Sequence, residues 1–267
     1  MKITQDLHMH THLSSCAKPE ATLEAYIAQA SSLGLDTLGI ADHMWDEDVP
    51  LSPDDYWHRF YHPQNLKHVL RARKEIQSLD TKGLRILFGA EAEYDPVRGD
   101  IALSEEAGEI LDFVLVPNSH THMMMPKGLY EPYQAHADFM VKATWDIINS
   151  PLAGYVTALA HPFDAVACPY DKTLLYPLIS DSEYKEMFSA AREKNIAIEI
   201  NTSSFLNKTD EEIRNHPKWA FFSLAKECGC KFTFGSDCHQ PGSQQSILAS
   251  DVIIDTLSLT DKDILVL

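Results

Sequence analysis

No apolar run in the 267-residue sequence approaches the roughly 20 residues needed to cross a bilayer. Met1-Lys2-Ile3 leads on without the apolar core or small-residue cleavage site of a secretory leader, so no membrane contact or export is expected. Cysteine is scarce: five residues, an odd number, which together with the missing leader predicts reduced thiols and a cytoplasmic location. Basic residues are also in short supply. The 22 Lys and Arg against 39 Asp and Glu leave a formal net charge of −17, which argues against a nucleic-acid backbone or an anionic membrane as main partner. Absent too are the G-x-S-x-G elbow, the Walker loop, G-x-G-x-x-G and H-E-x-x-H, so neither a serine nucleophile nor a nucleotide cradle is predicted. No repeat, low-complexity tract or Gly/Ser linker divides the chain, and residues 1–267 read as a single domain.

What the chain does have is rhythm. Apolar runs at residues 3–7, 37–41, 85–89, 113–116, 155–160, 196–200 and 231–234 alternate with helical patterns at 23–33, 66–79, 133–148, 181–194 and 211–227. Thr22 stands where an N-cap belongs, and Gly34 where a C-terminal glycine ends a helix. Strands that are almost continuously apolar suit a parallel sheet covered by helices, so the pattern predicts an α/β protein, most economically a closed barrel. The stretch 44–64 carries Trp45, Tyr56, Trp57, Phe60 and Tyr61 among acids and prolines, a long loop able to form a lid or to pack onto a barrel end. The tail 251–267 ends in Ile-Leu-Val-Leu, which could dock on the body or on another subunit, leaving a homo-oligomer open.

The chemistry collects at the strand ends. Period-two alternation along the first strand puts Asp6, His8 and His10 on one face. Imidazoles ligate zinc, manganese or iron, and a carboxylate beside them can orient the rings. The later strands leave toward similar residues: Asp42 and His43, Glu91 and Glu93, His120 and His122, His161, Glu199 and Asn201, and finally Asp237 and His239. In a parallel barrel all C-terminal strand ends share one rim, so these side chains are predicted to converge into a multi-histidine metal site. His58, His62, His68, His136 and His216 fall at no such position and read as surface or loop histidines.

Taken in order, Asp6-Leu-His8-Met-His10-Thr11, Ala41-Asp42-His43, Gly89-Ala-Glu91, Leu159-Ala-His161-Pro162, Glu199-Ile-Asn201 and Gly235-Ser-Asp237-Cys-His239 resemble the motifs of the PHP (polymerase and histidinol phosphatase) family. The match covers most of the chain and is strongest to the stand-alone bacterial phosphatases of that family. It implies a distorted (β/α)7 barrel holding two to three divalent ions (zinc, manganese or iron) at its C-terminal rim. By the same resemblance His8, His10, Glu91 and Asp237 would hold one ion, and Glu91 with His120 and His161 a second. A third would use His43, His239 and a residue of the loop after the first strand. Where the family carries His or Asp in that loop this chain has Cys16, with His12 just before it, and either could serve. A thiolate would favour zinc. His122 could likewise replace His120.

The resemblance further implies hydrolysis of a small phosphomonoester (histidinol phosphate, or a nucleotide or sugar phosphate) by a hydroxide bridging two ions. Asp237, His239 or the third ion would then steady the leaving alkoxide. Arg98 and Lys127 are candidates to receive the phosphate, Asp6 is expected to orient a histidine, and Glu93 to support the site or face solvent. Two other classes fit a similar ligand set: a metal-dependent amide or ester hydrolase, and a non-catalytic metal-binding domain. The Gly-Ser-Asp-Cys-His ending and the position of Glu91 favour phosphate.

Overall fold

The structure, a computed structural model, describes residues 1–51, 55–126, 133–166, 168–169 and 171–267, with the backbone alone at 55–57. Its strands are β1 (Gln5–Met9), β2 (Thr37–Ile40), β3 (His43–Met44), β4 (Arg85–Phe88), β5 (Ala90–Ala92), β6 (Tyr94–Asp95), β7 (Asp100–Ile101), β8 (Val114–Pro117), β9 (Ala158–Ala160), β10 (Ala197–Asn201) and β11 (Phe232–Gly235). One parallel sheet has the order β1-β2-β4 and a second the order β11-β10-β9-β8-β5-β3. They are two arcs of one ring. β2 continues through Ala41-Asp42 into β3, and β4 through Gly89 into β5, so each pair is one bent strand that changes sheets. A parallel bridge from Met9 to Cys238 closes β1 against the end of β11. The result is the seven-stranded (β/α) barrel the sequence implied. Gly89 permits one of the bends, because a Cβ there would stand 2.5 Å from Phe113 O.

Local signals set most helices. Thr22 accepts from Ala25 N at the start of Leu23–Leu33, and Gly34, at φ 73°, ends that helix in the left-handed region. Ser180 and Glu183 form a reciprocal cap at the start of Asp181–Glu193. Two predicted helices are interrupted. The 66–79 pattern divides at Leu70, and the 211–227 pattern divides into Asp210–Arg214 and Trp219–Glu227 around Pro217, which lacks the N–H a helix needs. The 155–160 run starts as a 3-10 turn and becomes strand only at Ala158. The β6–β7 hairpin, the helix Glu105–Ile110 and the 3-10 segment Pro241–Ala249 were not foreseen; their sequences are too short or too polar to show a period. None of the described helices is long and apolar enough to cross a membrane.

The main core lies between strands and helices. A second cluster fills the barrel interior with Leu7, Ala41, Leu87, Phe113, Leu115, Ala158, Ala160 and Ala197, and the tail residues Leu265 and Leu267 pack against it. Ile264 bridges Phe232, and Gln5 Nε2 donates to Leu265 O at 2.6 Å, so the apolar tail docks on its own barrel. At the opposite end Trp45, Val49, Tyr61, Ala102, Met123 and Met124 form a satellite core. The aromatic loop therefore packs onto the rim; the side chains of Tyr56 and Trp57 lie outside the described residues.

Candidate metal centre

β1 breaks the alternation read from its sequence. Its pairing with β2 shifts register between Asp6 and Met9, and such an irregularity disrupts the period of two. Asp6 and Met9 both meet Gln244 Nε2, at 3.3 and 3.1 Å, while His8 and His10 turn the other way and bring their Nε2 atoms to 3.2 Å. Asp6 thus orients no imidazole. Its carboxylate accepts from Ser236 N at 2.8 Å and Ser236 Oγ at 2.7 Å, which fixes the turn carrying Asp237 against β1.

His8, His10, His43, His120 and His161 gather around Glu91, while Asp42 turns away to accept from Thr11 N and Oγ1. Glu91 Oε2 lies 2.9 Å from His43 Nδ1, 3.5 Å from His10 Nε2 and 3.6 Å from His8 Nε2. Its Oε1 lies 2.8 Å from His161 Nε2 and 3.5 Å from His120 Nε2. Asp237 Oδ1 stands 3.2 Å from His10 Nε2 and 3.8 Å from His8 Nε2. Three sets have ligand atoms all within 4.8 Å of one another: His8 with His10 and Glu91; His43 with Glu91 and His120; and Cys16 with His10, His43 and His239. They open onto a cavity of about 260 Å³, walled also by Phe60, His122, Met123 and Val166.

Each ring is held from behind. His8 Nδ1 donates to Glu199 Oε1 at 2.7 Å, His120 Nδ1 to Glu93 Oε2 at 2.9 Å, and His239 Nδ1 to Asp237 O at 2.9 Å; His161 Nδ1 lies 2.7 Å from Ser119 Oγ. Protons placed on these Nδ1 atoms leave the Nε2 lone pairs of His8, His120 and His161 aimed at carboxylates. Lone pairs and carboxylates so close repel unless a proton or a cation lies between them. His10 Nδ1 is also buried with no hydrogen-bond partner, and His43 Nδ1 and Glu91 Oε2, though only 2.9 Å apart, are not aligned for a hydrogen bond. Orphaned donors and acceptors of this kind are rare in a folded interior. The nitrogen, oxygen and sulfur set therefore fits divalent transition ions, with zinc best matched to the thiolate corner.

Backbone geometry aims two of these side chains. His161, at φ 28°, and Asp237, at φ 49°, occupy the left-handed region that non-glycine residues avoid. Glu199 Oε2 accepts from His161 N at 2.6 Å, and Asp237 N donates to His8 O at 2.7 Å, which holds both turns. Gly235 is needed beneath them, since a Cβ there would stand 2.4 Å from His8 Cβ and 2.5 Å from Glu199 Oε1.

Charge follows the same packing. Burial disfavours ionised Glu91, yet His120, His43 and His8 hold its carboxyl well below the usual range. Burial likewise opposes a charge on Asp237, and His8 and His10 overcome it. For Cys16 burial works against the thiolate, but His10 and His43, with hydrogen bonds from His239 and His43, lower the thiol to about 4. Burial pushes His10 down to about 4. His8 and His43 are both raised well above the ordinary imidazole value: burial opposes the proton, while Glu199 acts on His8 and Glu91 on His43.

Several expectations fail. His12 is exposed and turned toward Glu75, 3.6 Å away, which leaves Cys16 as the loop residue facing the cage. His122 belongs to the helix Thr121–Met124, so strand parity with His120 does not apply, and it joins none of the three sets. Arg98 Nε donates to Asp95 Oδ2 at 2.7 Å and Nη2 to Ile101 O at 2.9 Å, tying down the β6–β7 hairpin away from the rim cavity. Lys127 lies outside the described residues. His136 is buried, not on the surface, and His68 Nε2 donates to Leu13 O at 2.6 Å, bracing the loop that carries Cys16. Glu199 gave a signal, because it shares strand parity with Asn201, whose Nδ2 donates to Asp237 Oδ2 at 3.2 Å. Nothing in the sequence marks Ser119.

The chain is similar to known phosphatases in sequence and in fold. A protein of Shewanella pealeana named "Probable phosphatase" is 30% identical over 96% of this chain and 85% of its own length. One of Escherichia coli O81, named "Probable phosphatase YcdX", is 30% identical over 88% of this chain and 78% of its own. The fold matches that of the histidinol phosphate phosphatase of Lactococcus lactis, a structure complexed with zinc, L-histidinol and phosphate. The TM-score is 0.63 at 18% identity, covering 97% of this chain and 95% of that one. The family model for the PHP domain matches residues 6–203, and the chain belongs to the PHP domain family.

Proposed function

We propose that the rim cage binds two to three divalent ions and that the protein is a cytoplasmic phosphatase hydrolysing a small phosphomonoester. The observation that carries this reading is the crowding of five imidazoles around one buried carboxylate, Glu91. Names given to relatives at 30% identity support the reaction class. His8, His10, Glu91 and Asp237 would hold one ion, Glu91 with His120 and His161 a second, and Cys16, His43 and His239 a third. Such ions, when bound, supply Lewis acidity and a water acidic enough to ionise near neutral pH.

The chain's own residues do the rest. Glu199 and Glu93 fix the rings of His8 and His120 by their Nδ1 protons, so that Nε2 points inward. Phe60, Met123 and Val166 line the cavity wall and limit bulk water beside the reacting phosphoryl group. Asp237 and His239 are, with Cys16, the partly exposed members of the cage, and we assign these two the contact with phosphoryl and leaving-group oxygens. All five cysteines are free, which suits a reducing compartment.

The test is turnover by freshly purified, metal-analysed protein of phosphomonoesters, read as phosphate release, and of phosphodiesters, amides and lactones, read from their own hydrolysis products. Turnover of monoesters with none of amides or lactones is the expected result. The reverse selectivity would replace this reading with an amide or ester hydrolase, and inactivity of fully metallated protein with a binding domain.

A further inference from the structure

A second cavity of about 260 Å³ lies beside the cage and shares Asp237 and His239 with it. The remainder of its wall sets the polar side chains of Lys18, Ser203, Ser236, Gln240 and Ser243 beside Leu206. We propose that this ledge is the leaving-group subsite and that it selects phosphomonoesters whose leaving group carries a second anion, a carboxylate or another phosphate. This deepens the phosphatase reading and rests on it.

Unused hydrogen-bonding capacity is the main support. Among the described residues the side chains of Lys18, Gln240 and Ser243 make no hydrogen bond or ion pair within the protein, while Ser203 Oγ donates to Asn201 at 2.6 Å. Glu20, two residues along, does not neutralise Lys18. Asp237, the one acid in the wall, is already engaged, with Oδ1 3.2 Å from His10 Nε2 and Oδ2 accepting from Asn201. An exposed ammonium with no internal partner is free to meet an anion.

Position adds to the case. Lys18 N donates to His239 O at 2.9 Å, so the loop bearing the ammonium is pinned to the shared wall. The same loop supplies Cys16 to the cage. A phosphoryl group seated among the ions thus places its ester oxygen at Asp237 and His239 and its leaving group along the ledge toward Lys18. Among the described residues the opposite side of the cage, at Phe60, His122, Met123 and Val166, carries no Lys or Arg.

The experiment measures kcat and KM of the metal-loaded protein for p-nitrophenyl phosphate, glycerol 3-phosphate, 3-phosphoglycerate and fructose 1,6-bisphosphate. Wild type is compared with Lys18→Met and Lys18→Arg. The expected result is a KM for the two doubly anionic substrates raised roughly three- to tenfold in Lys18→Met. Their kcat values and the turnover of the other two substrates should stay unchanged. Lys18→Arg should restore the preference, and added salt should erode it in wild type. The response of 3-phosphoglycerate against that of the bisphosphate separates carboxylate from phosphate recognition. Equal effects on all four substrates, or a doubly anionic preference indifferent to Lys18, would overturn the subsite and leave the phosphatase reading standing. No turnover of any substrate would overturn both.

Discussion

Asp237 shows how much a single side chain carries at this rim. Its carboxylate approaches His8 and His10, accepts from Asn201, and sits on a left-handed backbone that β1 and Ser236 hold in place. Asp237→Asn keeps the shape and removes the charge, so turnover of p-nitrophenyl phosphate should fall at least roughly 10²-fold with the unfolding midpoint almost unmoved; wild-type turnover in that variant would contradict the assignment. Cys16→Ser should cost the third ion or turn its preference away from zinc, read by elemental analysis, and an unchanged zinc count would remove the thiolate from the cage. Protonation sets a pH dependence. In the metal-free protein burial disfavours the His239 proton, but the Cys16 and Asp237 groups raise the ring to about 9. A ligand nitrogen must lose its proton to bind an ion, so affinity at that corner should rise with pH from neutrality through about 9, as His239 and the likewise raised His43 give up their protons. Titrating zinc into weakly buffered protein at neutral pH should release protons, and a pH-independent affinity with no release would refute this. Identities of the cage residues were legible in the sequence because each follows a strand. The roles of Asp6 and His12 were not, because a register shift and a loop turn redirected them.

Strands, more than single residues, decide whether the cage assembles. β10 and β11 lie side by side in register, Asn201 opposite Gly235, and this brings Glu199 under His8. Gly235→Ala would drive a methyl group into both, and overpacking of this kind costs about 1–3 kcal/mol. Lower thermal stability together with weaker metal retention is the expected outcome; a variant stable and fully loaded would show that the close approach is unimportant. Alternation of strand and helix made the barrel readable, and so did the near-continuous apolar strands. The bends at Ala41-Asp42 and Gly89 were hidden, since each depends on contacts from distant segments, Met9 and Thr11 at the first and Phe113 at the second. The hairpin of β6 and β7 was hidden for another reason: its strands are two residues each, too short for any period to register.

At the scale of the whole molecule the barrel has a functional end and a structural end. Metal-competent side chains occupy the C-terminal rim, while the interior is closed below by the chain's own tail, with Leu265 and Leu267 packed against Leu7 and its neighbours. Deleting residues 264–267 should lower stability by about 1–3 kcal/mol in denaturant unfolding without changing the number of ions bound; unaltered stability would show that the tail merely lies alongside. The motif order Asp6 to His239 foretold the ring, because closure requires the first and last strands to meet, as Met9 and Cys238 do.

Strands from around the ring are predicted to cage divalent ions about Glu91. Elemental analysis of the protein after zinc loading and exhaustive dialysis tests this most directly. About two to three zinc ions retained per chain is the predicted result. A protein that stays folded yet retains less than about half an equivalent would contradict the account at its root.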